Sequence, residues 1–384
     1  TYPSGDPSVD TGDVLTNNVT VSGMLPSGQT ESDGSGASIE IAGPTVAKSV
    51  YAIDADTGKA GDPIIAGHTI TYLLTFDMAS ADFENLVLTD YLPLPIYNAT
   101  ELVTFSTTPT AVPPPAGTVA YGPGHNLHTI APTINPPTMT TDAASTTVSF
   151  DFGNFDVDPS VPARIELLIT VTAQDLNMAD GLYLTNQANA SYGSTFNTTI
   201  SSNAIAQNEV AAPELRLTKG VVSTNAVSPV FDAAIGPVGF EPPNSALPAF
   251  GGGINSANLS TTPIDANLSG ADAGDLVKFA IVIENTGGAD GLNLLIQDVI
   301  PPEYLVPGSG LNLEVRDGDG NLLAYVGADT DLFAGGIEIT DPGLYDGAIN
   351  NFDAAQAAGD GSNIIVVTYD LELATAVSSN TTYN

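Results

Sequence analysis

Residues 66–93 and 273–301 carry one pattern of side chains, and that repetition limits the possible fold more than any other feature of the chain. With a single-residue gap, Tyr72 falls on Phe279, Phe76 on Ile283, Asp90 on Asp298 and Pro93 on Pro301. Two further matches keep the same order. The segment around Lys48 (VAKSV) pairs with that around Lys219 (LTKGV), and residues 169–186 run without a gap against 367–384. Self-similarity at this scale reads as two copies of one domain.

Within each copy the period is two: Ile70, Tyr72, Leu74 and Phe76 point one way while Thr69, Thr71 and Thr75 point the other, as in a half-buried strand. Val277, Phe279, Ile281 and Ile283 repeat this in the second copy, followed by a polar turn at 285–288 and an alternating strand that must end at the proline of Asp298 to Pro301. The 38 Gly and 28 Pro punctuate the chain often. Short strands between turn signals predict an all-β protein made of two antiparallel β-sandwiches in tandem, in preference to a barrel.

These residues resemble a repeat family of large bacterial and archaeal surface proteins, catalogued as domain of unknown function eleven. Its pattern is a Lys strand, then G-x-x-V-x-Y-x-I-x-V-x-N-x-G, a strand ending D-x-L-P, and an L-x-N-x-A strand. Lys48, Gly67, Tyr72, Asp90, Leu92-Pro93 and Leu184 to Ala188 meet it in the first copy; Lys219, Gly274, Phe279, Glu284 to Gly287 and Asp298 meet it in the second. The first copy departs at the N-x-G turn, reading Asp77-Met78-Ala79. The resemblance implies immunoglobulin-like sandwiches at the cell surface, over 42–210 and 211–384.

The terminal strand of the first copy starts at Leu184 and runs on through QANASYG, whereas the second copy reaches its counterpart only at Asn384. Residues 11–23 resemble the missing strand. The expectation is therefore an arm at 1–41 whose Val14, Leu15, Asn17, Val19 and Val21 form a donor strand completing the 211–384 domain of another copy by strand addition. Such a head-to-tail contact builds a filament unless it closes into a ring. The alternative is a stalk of repeats in a giant adhesin. Thr1 opens the chain without a signal-peptide pattern, so the sequence reads as a piece of something longer.

Seven Lys plus Arg against 44 Asp plus Glu give a net charge of −37, which repels nucleic acid and anionic lipid, and no apolar run suits membrane insertion. With 42% hydrophobic residues the chain should still fold, and without Cys it has no disulfides. No nucleophile elbow, phosphate loop or paired-carboxylate motif points to an enzyme. The expected role is structural and extracellular, with copies of the chain itself as partners.

In pilin and adhesin domains of similar architecture, a buried Lys amine attacks a buried Asn amide beside a protonated carboxyl. Lys48 and Asn186 with Asp77 or Asp90 form one candidate set for such an isopeptide bond, and Lys219, Asn384 and Asp298 a second. Calcium is a candidate cofactor at Asp54, Asp56 and Asp62, and at Asp317, Asp319 and Asn321, where oxygens alternate around a Gly turn that equally suits a plain hairpin. His125 and His128 lack further metal ligands nearby in the sequence. Glycosylation sequons fall at Asn18, Asn98, Asn189, Asn197, Asn258, Asn267 and Asn380. The segments 107–146 and 222–271 read as insertions, the first as extended proline-rich loop.

Overall fold

A computed structural model describes residues 14–40, 43–78, 82–156, 162–174, 178–193, 199–232, 240, 250–340, 349 and 361–377. The chain divides into two compact units, 1–177 with 182–210 and 178–181 with 211–384. Both are built of strands, as the alternating pattern requires.

The first unit opens with β1 (Val14–Met24) and β2 (Thr30–Glu40), which pair antiparallel from Val14↔Glu40 to Met24↔Thr30 with every residue exposed. The donor segment expected at 11–23 is thus one half of a hairpin, already paired on one edge with its own chain.

Ten strands then form a sandwich: β3 (Thr45–Ile53), β4 (Thr69–Met78), β5 (Asp82–Tyr91), β6 (Thr104–Ser106), β7 (Thr118–Tyr121), β8 (Thr138–Asp142), β9 (Thr147–Asp156), β10 (Ala163–Thr172), β11 (Leu182–Gly193) and β12 (Thr199–Val210). One sheet has the order β3-β4-β10-β7-β6 and the other β12-β11-β5-β9-β8. All pairs are antiparallel except β6 with β7, which are parallel, a departure from the expected pattern. It arises because 107–146 is no solvated loop: it supplies β7, whose Val119, Ala120 and Tyr121 are buried, and β8. Tyr72, Leu74 and Phe76 of β4 are fully buried, and Phe76 meets Phe83 and Tyr192 of the opposite sheet at ring separations of 5.6 and 6.3 Å. This is the β-sandwich core that the period of two encodes.

The second unit contains β13 (Leu215–Thr224), β14 (Val230–Phe231), β15 (Leu268–Ser269), β16 (Leu276–Asn285), β17 (Leu295–Ile296), β18 (Tyr304–Leu305), β19 (Glu314–Asp317), β20 (Ala324–Val326), β21 (Ile337–Thr340) and β22 (Ile364–Leu373). One sheet runs β13-β16-β22-β18 with β19 also on β22; the facing sheet is β17-β21-β20. Their shared core gathers Ile281, Ile296, Val315, Ile337, Val367 and Tyr369. On the outer face of the first sheet, Phe250, Ile254, Leu259 and Ile264 from the second insertion pack on Val222, Ala280 and Val282, so this insertion too is part of the fold.

The repeat maps β3, β4, β5 and β10 onto β13, β16, β17 and β22. Gly67 and Gly274 both sit at φ +85°, a backbone region that side chains disfavour, which accounts for Gly at each. The turn after β16 is organised by Asn285, whose Oδ1 accepts N–H bonds from Glu214 (3.0 Å) and Gly287 (3.1 Å) while its Nδ2 donates to Ala289 O (2.8 Å).

Candidate functional site

Three polar side chains meet in the core of the first sandwich. Lys48 lies on β3 in one sheet; Asp90 lies on β5 in the other. Asp90 pairs with Ala188 of the adjacent β11, so Asn186, two residues away, faces the same interior. The side chains of Lys48 and Asp90 are fully inaccessible to solvent, as is Asn186. Lys48 Nζ makes an ion-pair contact with Asp90 Oδ1 and stands 5.1 Å from the ring centre of Tyr72.

Burial acts on the protonation of both partners. Desolvation pulls the Lys48 ammonium below its ordinary pKa against the opposing pull of Asp90, and desolvation pushes the Asp90 carboxyl up against Lys48. Both shifts favour a neutral amine beside a neutral acid. Asn186 lies next to Asp90 and Tyr72, yet neither its Nδ2 nor its Oδ1 forms a well-aligned hydrogen bond. Leaving a buried polar group unpaired costs about 1–3 kcal/mol, so a fully buried amide held only by poorly aligned contacts to Asp90 and Tyr72 is an uncommon arrangement. A lysine and an acid whose charged forms burial disfavours, beside a buried amide, are the three parts an amide-exchange reaction needs.

Asp77, the other acid considered with Lys48, is not part of this cluster. It sits one residue past Phe76 and so faces out of the sandwich, where its carboxylate binds Arg164 Nε (2.5 Å) and Nη2 (3.0 Å).

In the second unit Lys219 of β13 and Asp298 meet as expected, with Nζ 2.7 and 2.8 Å from the two carboxylate oxygens and 5.2 Å from the Phe279 ring centre. The Tyr369 hydroxyl also donates to Asp298. Here the Lys219 side chain is 37% exposed, against 0% for Lys48. Asn384 lies outside the described residues.

A third cluster escaped sequence reasoning. Lys278 Nζ lies 2.9 Å from Asp370 Oδ1, both largely buried, and Asn312 Nδ2 donates to Asp370 Oδ2 at 2.8 Å. Lys278 occupies the repeat position of Thr71, which pairs with Thr170 through hydroxyls 2.8 Å apart. A charged pair where the other copy has two threonines was the available signal.

The oxygen-rich turns serve the backbone. Asp54 Oδ1 accepts from Thr69 N–H (3.0 Å) and Asp56 Oδ1 from Gly58 N–H (2.8 Å). Asp317 takes both Asn321 N–H and Nδ2 (2.8 Å each), and Asp319 takes Gly361 N–H (3.0 Å). Asp62 is a turn residue whose N–H bonds Lys59 O. Among the described residues no three His, Cys, Asp or Glu side chains converge as a metal site. His125 stacks on Tyr121 at 3.7 Å and its Nε2 bonds His128 Nδ1 at 2.8 Å.

Of the sequons, Asn18 is exposed on β1, and Asn267 is exposed and bonded to Asp232 (2.7 Å). Asn98 caps a turn through Thr100 N–H, Asn189 bonds Asn203 on β12, and Asn258 is half-buried. Asn197 and Asn380 lie outside the described residues.

No protein-family model and no curated protein matches the sequence. Among solved structures the chain is similar to BcpA, the major pilin subunit of Bacillus cereus, with 9% identity, 82% of this chain and 72% of that one covered, and a TM-score of 0.28. It is also similar to the C-terminal domain of the Streptococcus pyogenes antigen I/II-family protein AspA (10% identity, 86% and 92% covered, TM-score 0.34). A collagen-binding domain from a Staphylococcus aureus adhesin gives 12% identity over 42% of this chain and 97% of that one, with a TM-score of 0.24.

Proposed function

We propose that the protein is a structural subunit of an extracellular filament or surface layer, joined head to tail by strand complementation and hardened by an internal amide cross-link. The observation carrying this is the Lys48, Asp90 and Asn186 cluster, which spans both sheets of the first sandwich. In the reaction Lys48 Nζ attacks Asn186 Cγ while the Asp90 carboxyl stabilises the carbonyl oxygen. The Nζ–Cγ bond forms, the Cγ–Nδ2 bond breaks, and one proton from the neutral Nζ amine passes by way of Asp90 to Nδ2, which leaves as ammonia. The product ties β3 to β11 across the core, a covalent brace in a chain with no Cys. Among the described residues no helix is long and apolar enough to cross a membrane.

The test is the intact mass of the denatured chain. It should fall below the sequence mass by one ammonia for this cluster, with a proteolytic fragment joining β3 to β11, and Lys48→Ala should restore that ammonia. A chain at its full sequence mass refutes the brace. A stalk repeat in a giant adhesin would use the same brace; native polypeptides many times longer than this chain would favour that second reading.

A further inference from the structure

The exposed hairpin and the exposed lysine of the second unit are two halves of one site. One constant offset in numbering carries β1 (14–24) onto 183–193 of β11 and β2 (30–40) onto 199–209 of β12. Leu15-Thr16-Asn17 then falls on Leu184-Thr185-Asn186, and Glu40 on Glu209. Asn17 pairs across its hairpin with Ala37 as Asn186 pairs with Ala206. The inward set of β11 (Leu184, Asn186, Ala188, Ala190) becomes Leu15, Asn17, Val19 and Val21 on β1, where the three apolar members are 41%, 66% and 67% exposed.

The second unit displays the matching surface. β5 lies between β11 and β9, whereas among the described residues its counterpart β17 pairs only with β21, the β9 counterpart. Leu217 on β13 is 70% exposed and Lys219 is open to solvent. A compensating exchange links the two halves. In the first sandwich the Tyr72 hydroxyl on β4 bonds Asn208 Oδ1 on β12 (3.4 Å); in the second unit Tyr72 is replaced by Phe279, and on the hairpin Asn208 is replaced by Ile39, which is 68% exposed. A polar pair becomes an apolar pair on both partners at once.

We infer that the β1–β2 hairpin of a second copy of this chain docks beside β17 in the register Val19↔Asp298, Thr20↔Gln297, Val21↔Ile296, delivering Asn17 to Lys219 and Asp298. This deepens the filament reading above, on which it rests: the joint is a two-stranded hairpin in a stated register. The register is that of Ala188↔Asp90, Asn189↔Thr89 and Ala190↔Leu88, carried over through the repeat. Docking covers Lys219 as Asn186 and its strand cover Lys48. Amide formation there, in which the Lys219 Nζ–Asn17 Cγ bond forms, the Cγ–Nδ2 bond breaks and one proton passes from the neutral Nζ amine by way of Asp298 to Nδ2, which leaves as ammonia, is the covalent form of the same contact.

The chain has no Cys, so engineered thiols report the register cleanly. Full chains carrying Thr20→Cys and Gln297→Cys, mixed and mildly oxidised, should yield a disulfide-linked heterodimer. Thr20→Cys mixed with Glu338→Cys, on the far side of β17, should yield at least tenfold less. Val19→Asp with Val21→Asp, changes confined to exposed positions, should abolish the Thr20–Gln297 product. Equal capture by Glu338→Cys, or closure of a double variant only within single chains, overturns the inference. Polymers that persist with Val19→Asp and Val21→Asp overturn this joint and leave the filament reading standing; correct cross-linking by a protein whose native material shows neither filaments nor a lattice does the reverse. A ladder that survives denaturation, lost with Asn17→Ala and kept with Asn384→Ala, supports delivery of Asn17, and the opposite pattern assigns the position to Asn384 and refutes it.

Discussion

At the scale of single residues, parity along a strand separates chemistry from decoration. Asp77 and Asp90 are equal candidates by composition, but Tyr72, Leu74 and Phe76 point inward, so Asp77 must point out and Asp90 alone can meet Lys48. That distinction was legible in the alternation, whereas the poorly aligned amide of Asn186 was not, because hydrogen-bond geometry shows only when the neighbours are placed. Asp90→Ala should prevent ammonia loss and destabilise the first sandwich by about 1–3 kcal/mol, since it leaves a buried amine without its hydrogen-bond partner; denaturant unfolding and intact mass read both effects. His125 offers a pH signature. Burial, then His128, pulls its pKa from 6.5 to about 4, so the folded state keeps it neutral. Its surroundings hold His128, Tyr121 and the Glu166 backbone N–H, with the Glu166 carboxylate on Gly124 and Arg164. A depressed pKa stabilises the fold above 6.5 and loses that contribution as pH falls toward 4, on the order of 1–2 kcal/mol once solvent screening is allowed for. Thermal melts across this window should show the loss, and His125→Gln should flatten it.

Among the elements, two strands that occupy one repeat position differ in length. The alternation before Pro93 and Pro301 reads alike in both copies, yet β5 extends over Asp82–Tyr91 between β11 and β9 while β17 is only Leu295–Ile296. Strand length here is set by hydrogen-bonding neighbours, a tertiary property that a local pattern does not carry. The same reason hid β7 and β8 inside the segment 107–146, whose prolines suggested a loop although Val119 to Tyr121 fill a gap in the sheet. The turn after β16 was legible because Asn285 and Gly287 have fixed jobs: a Cβ on Gly287 would stand 2.1 Å from Ala212 O. Asn285→Ala removes bonds to Glu214, Gly287 and Ala289 from a buried position and should destabilise the second unit by about 2–3 kcal/mol, measured by its unfolding transition.

For the whole molecule, the net charge of −37 opposes every contact between copies. Copies that associate through Val19, Val21 and Ile39 must overcome this repulsion, and salt screens it over about 10 Å at 0.1 M. Raising ionic strength from about 0.01 to 0.15 M should therefore speed and strengthen assembly, as followed by light scattering; association through opposite charges would weaken instead.

The two anchor points of the proposed brace, Lys48 and Asn186, lie near the ends of the first sandwich's course. Traction arriving from the hairpin enters the sandwich at β3, reaches Lys48 within its first few residues, and leaves after Asn186 through β12 toward β13. An amide between those residues shunts tension straight from entry to exit, so the polypeptide from β4 to β10 hangs as a slack loop that pulling cannot reel out. Stretched singly, the wild-type chain should lengthen far less than Lys48→Ala, and the difference should match the extended reach of residues 48–186, about 3.3–3.6 Å for each.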